Sequence, residues 1–173
     1  MNSSEKKSLH DNDLHQITVD LQIADDLSAG ADMVEQVPLQ SLIGAALAAA
    51  GINRDVEISV RLVNDSEMAD LNQQFRGKAG PTNVLAFPYQ AVADTEIPFI
   101  GDLAICIPVL QREAAAQSKS EHQHFAHLLL HGTLHLLGYD HQTEEQAEQM
   151  EQTERSVLRQ FDIPDPYGER AEQ

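Results

Sequence analysis

Residues Ser120 to His141 read SEHQHFAHLLLHGTLHLLGYDH. The stretch predicts a helix that begins near Ser120, carries His122 through Leu137 and stops at Gly138. Glycine at that position permits a left-handed turn, which ends the helix and sends Tyr139, Asp140 and His141 back over its last turns.

Outward from that helix the patterns alternate in type. Ile17, Val19, Leu21 and Ile23 alternate with polar residues, the period of a half-buried strand, and Val56, Ile58, Val60 and Leu62 repeat it more strongly. LQSLIGAALAAAGI is rich in helix formers and meets its stop at Gly51. NDSEMADLNQQFRG predicts a helix capped by Asp65 or Ser66, with Gly77 beyond its end. Residues Val84 to Phe87 and IGDLAICI predict two more strands, and Pro108 opens a helix ending near Ser118. A last, acidic helix is expected from about Thr143 to Phe161, and a polar, glycine-containing link from the first strand to Pro38. The fold expected is α+β: a small mixed sheet of about four strands, in two groups along the chain, covered by helices. Its metal site would lie on a helix and the turn after it. Residues 1–16 are expected to form a flexible tail, 17–167 a single domain and 168–173 a C-terminal tail.

Composition narrows the functional classes. The 173 residues suffice for one domain with a proper core, and no apolar run is long enough to span a bilayer. MNSSEKKSLHDNDLHQ has no apolar h-region, so no secretory signal is expected. One cysteine, Cys106, rules out an internal disulfide, suits a reducing cytoplasm and reads as a buried strand residue. A formal net charge of −17 opposes nucleic-acid binding unless basic residues are concentrated locally.

His131, His135 and His141 have the spacing of a zinc-protease site, H-E-x-x-H-x-x-G-x-x-H, with Gly138 also in place. Gly132 stands where that motif has its glutamate base. Residues four apart rise about 6 Å on one helix face, so His131 and His135 can share an ion with bonds of about 2 Å. His127 and His135 lie about 12 Å apart along the axis, so they cannot. The turn at Gly138 brings His141 as third ligand, leaving an open position of the kind a catalytic zinc has. His127 then reads as a neighbour, His122 and His124 as solvent-facing, and His10 and His15 as tail residues. Asp140 fits two roles equally well, orienting a ligand histidine or making the turn. Without a glutamate, protonation of a leaving amine has no obvious donor, which weakens peptide hydrolysis.

Arg76 and Lys78 form a tight basic cluster beyond the second helix. An arginine offers a bidentate fork to phosphate, although a helix-terminal cation satisfying the last carbonyls has the same pattern. MADLNQQFRGKAGPTNVLAFP (68–88), GDLAIC (101–106) and HLLLHGTLHLLGYDH (127–141) together resemble the successive signatures of the YbeY endoribonucleases, bacterial rRNA maturation factors. The resemblance covers nearly the whole chain, in order and spacing. It implies a zinc-dependent, single-strand-specific endoribonuclease with one Zn2+ ion, acting in 16S rRNA 3′-end processing and ribosome quality control. Its partners would be single-stranded RNA, rRNA and the ribosome or ribosomal proteins, in the cytoplasm, with no membrane and no DNA. On the same resemblance His131, His135 and His141 take the zinc-ligand roles and Arg76 the catalytic arginine. Lys78 and Arg61 are then expected to contribute to RNA binding. Ala79 departs from the family's aspartate after RGK and Ala86 from its serine, which touches loop hydrogen bonding only. RNA cleavage releases an alkoxide-like oxygen rather than an amine, with water or the ribose 2′-hydroxyl as nucleophile. Two other functions fit the residues: a metal-dependent hydrolase of peptides or small molecules, and a non-catalytic zinc-containing ribosome-assembly factor.

Overall fold

A computed structural model of the chain describes residues 15–27, 32–90 and 97–168, so most of the expected terminal tails lie outside the described residues. Among these residues four strands form one open mixed sheet in the order β1-β2-β4-β3. They are β1 (Ile17–Ile23), β2 (Val56–Val63), β3 (Val84–Pro88) and β4 (Phe99–Cys106). β1, β2 and β4 run parallel, and β3 is antiparallel to β4. The fold class is therefore α+β as expected, and the two groups of strands along the chain join in one mixed sheet.

Five α-helices accompany it among the described residues: α1 (Leu39–Ala49), α2 (Asp65–Arg76), α3 (Ile107–Ala116), α4 (Glu121–Leu136) and α5 (Glu144–Gln160). β2 alternates because Val56, Ile58, Val60 and Leu62 face the main core while Glu57 stays outside. β4 is buried almost throughout because helices cover both of its faces. Leu103 and Ile105 join the core with α1, α4 and α5, and Ala104 and Cys106 pack with Val63, Met68 and Leu85 opposite. The cap of α2 is Asn64, whose side chain accepts from the Glu67 N–H, rather than Asp65 or Ser66. The link before Pro38 is less polar in role than in composition: two short 3-10 turns bury Leu27, Met33 and Val34.

Two glycines decide how closely the layers approach. A Cβ on Gly101 (φ 149°) would stand 2.5 Å from the Phe87 carbonyl oxygen, so only glycine lets β3 pair there. A Cβ on Gly132 would stand 2.8 Å from a Leu103 methyl and 3.2 Å from one of Val84. The glycine in the base position of the histidine motif is thus the point where α4 settles onto β3 and β4. That contact leaves a groove between the histidine face of α4 and strand β3.

Candidate metal centre

α4 starts at Ser120, whose side chain caps the Gln123 N–H, and ends as its sequence predicts. Gly138 takes φ 99°, its N–H bonds the His135 carbonyl, and the Tyr139 N–H bonds the Leu134 carbonyl. This pair of bonds is the Schellman closure, and it returns the chain toward the helix. The Asp140 side chain accepts from the His141 N–H at 2.8 Å, which makes the turn.

His131, His135 and His141 are thereby brought together, each offering one ring nitrogen within 4.8 Å of the others. The His131 and His135 Nε2 atoms face one another at 3.2 Å. Two ligands on a tetrahedral ion with bonds of about 2.05 Å are separated by about 3.3 Å, so this pair already has the spacing of a zinc edge. Burial lowers the pKa of His135, and the neighbouring His131 and His141 lower it further, which keeps its lone pair available at neutral pH. His141 is exposed and the other two are half-buried. Among the described residues no fourth His, Cys, Asp or Glu completes this group. Cys106 lies in the sheet against Asp65, and burial pushes its thiol up to about 11. The residues present fit one ion with an open position.

The groove beside the three imidazoles holds about 390 Å³. Arg76, at the end of α2, and β3 residues including Ala86 form its other side, and among the described residues no Asp or Glu lines it. Among the described residues the Arg76 guanidinium has no hydrogen-bond or ion-pair partner, although the chain carries −17. Lys78 follows the left-handed Gly77 and is exposed outside the groove lining. Arg61 is likewise outside it, on β2, and is paired with Glu67 at 2.8 Å.

Sequence reasoning missed Glu154. This carboxylate is 0% exposed, on the buried face of α5 with Met150, Val157 and Leu158. Its Oε1 accepts from His131 Nδ1 at 2.7 Å, and its Oε2 from His127 Nε2 and the Tyr167 hydroxyl, both at 2.7 Å. Burial alone would raise its pKa, but the hydrogen bonds and charges of His127 and His131 outweigh that and hold it at about 2. His127, His131 and Glu154 form a second group of close donors. Its 2.7 Å contacts are those of charge-assisted hydrogen bonds, shorter than the roughly 3.3 Å between ligands of one zinc, so protons bridge it. A carboxylate on the apolar stripe of α5 was the legible signal. His124 also departs from expectation: it is 4% exposed and bonded to Glu113 at 3.0 Å, because α4 turns this side toward α3.

Comparison with known proteins finds one family. The family model described as Endoribonuclease YbeY matches residues 26–162. A protein of Alkalilimnicola ehrlichii named Endoribonuclease YbeY is 44% identical over 151 residues, covering 86% of this chain and 91% of that protein. One of the same name from Nitrosococcus oceani is 46% identical over 135 residues, 76% of this chain and 88% of its own. The solution structure of a Thermotoga maritima protein matches with a TM-score of 0.53 at 25% identity, covering 91% of this chain and 100% of that one.

Proposed function

Because this chain belongs to the Endoribonuclease YbeY family, we propose that it is a zinc-dependent endoribonuclease of single-stranded RNA, acting in 16S rRNA 3′-end maturation and ribosome quality control. The observation that carries this reading is the groove itself. Three imidazoles converge on one side, Arg76 stands on the other, and among the described residues Arg76 has no partner and no carboxylate lies between them. A polyanionic backbone can enter such a groove despite the acidic surface elsewhere.

His131, His135 and His141 would hold the ion. A zinc ion bound there supplies Lewis acidity toward water and toward a phosphoryl oxygen. Arg76 donates its planar fork to the scissile phosphate and spreads the charge that builds on its oxygens. Lys78, exposed on the loop beyond Arg76, adds attraction for the flanking strand, and Arg61 does so more weakly because Glu67 already occupies it. Among the described residues, peptide hydrolysis finds no groove-side acid to protonate an amine, and a closed structural zinc finds no fourth ligand.

The test is cleavage of a single-stranded RNA and its duplex by wild type, a chelated sample, His131→Ala and Arg76→Ala. Single-strand cleavage lost on chelation and in His131→Ala, and reduced by about 10²–10³ in Arg76→Ala with metal content unchanged, is expected. Undiminished cleavage in both variants would refute the assignment. Extension of the assay to ribosomal particles checks the rRNA role.

A further inference from the structure

The hydrogen-bond chain behind His131 reaches the C-terminal segment. Glu154 is sealed from solvent, yet takes three donors: His131 Nδ1, His127 Nε2 and the Tyr167 hydroxyl. An ionised carboxylate only accepts, so His131 must present N–H at Nδ1 and leave its lone pair on Nε2, the atom facing His135. Tyr167 is itself fixed. Its backbone N–H bonds Asp165 Oδ1 at 2.8 Å, Asp165 pairs with Arg155 at 3.0 Å, and the Arg155 guanidinium lies 5.4 Å from the Tyr167 ring centroid. α5 and the segment after it thus converge on one buried anion behind one imidazole.

From this geometry we infer that Glu154 is a positioning residue that selects the metal-binding tautomer of His131, and that Tyr167 latches Glu154 in place. The inference rests on the metal reading given above. A buried carboxylate with no other task would be poor design, since paired burial of charge contributes little net stability compared with apolar packing. Here the anion orients a ligand ring, as outer partners of metal-bound histidines do. Glu154→Gln removes the charge at nearly constant volume and leaves one acceptor oxygen where three donors now share two, so the His131 Nδ1 proton is no longer held by an anion. Tyr167→Phe keeps the charge and removes only the latch.

Two measurements test the inference on the full chain. Nitrogen NMR of the metal-free protein reads the His131 tautomer directly, and competition with a chromophoric chelator reads zinc affinity. Wild type should show His131 protonated on Nδ1 and bind one zinc. Glu154→Gln should weaken that tautomer preference and bind zinc 10–100-fold more weakly. Tyr167→Phe should shift both readouts in the same direction by less, with its melting transition preserved. Should Glu154→Gln fail to fold, Tyr167→Phe alone still decides. An unchanged tautomer and affinity in a folded variant overturns the inference and leaves the metal centre standing. A wild type that binds no zinc overturns the metal reading and this inference together, even with Nδ1 protonated.

Discussion

Gly132→Ala is the substitution that separates a packing account of the histidine motif from a catalytic one. Alanine in the middle of a helix is worth about 1 kcal/mol over glycine, so an open α4 would be stabilised by the change. The structure opposes that gain. The added methyl would sit 2.8 Å from one Leu103 methyl and 3.2 Å from the other, and Leu103 is 1% exposed. Val84 blocks the remaining direction at 3.2 Å. Overpacking of this kind costs about 1–3 kcal/mol, because α4 must lift from β3 and β4 or Leu103 must leave its rotamer. The net expectation is a loss of up to about 2 kcal/mol, read as a melting temperature lower by about 2–4 °C per kcal/mol for a chain of this size. Denaturant and thermal unfolding of the two proteins in parallel measure it. Gly132→Glu, which would complete the protease-like pattern, meets the same wall with a larger side chain, and should be less stable still without gaining peptide cleavage. A Gly132→Ala protein that melts higher than wild type would refute the close-approach argument and reopen the question of what the glycine is for.

Gly101→Ala should be more damaging, at about 3 kcal/mol or more, because its new methyl meets the Phe87 backbone oxygen at 2.5 Å and backbone cannot yield as a side chain can. Loss of β3 pairing, followed by amide exchange, is the check. Cys106 should be inert to thiol reagents at pH 8 in the folded protein. Burial raises its pKa to about 11, so the thiolate is scarce until the pH rises well beyond the unfolded value near 9.0. Reaction should follow global unfolding, and stability should decline between those two pH values, because there the unfolded thiol has already ionised while the folded one has not. Asn64→Ala should cost about 1 kcal/mol through the lost cap on the Glu67 N–H, seen as a lower denaturation midpoint at unchanged slope.

Periodicity and punctuation carried most of the fold. Val56 to Leu62 alternate because β2 has one face on the main core, and Gly138 ends α4 because left-handed backbone suits glycine; both are local facts that a sequence records directly. The trio His131, His135 and His141 was legible for the same reason, being set by one helical turn and one cap within eleven residues. Strand order was not legible. Nothing in the spacing of β2, β3 and β4 says that β4 inserts between the other two, because that depends on which faces α1, α4 and α2 can cover at once. Gly132 looked like a missing base until Leu103 and Val84, from two different strands, were seen against it. Glu154 lies 23 residues from His131 and carries no spacing rule with it. Only the packing of α5 against α4 puts that carboxylate behind the imidazole, and only burial makes its three hydrogen bonds obligatory. The sequence by itself determined the three histidines that could hold an ion and the helix and turn that present them. The tertiary structure decided what orients them, because orientation comes from contacts between elements that are distant along the chain.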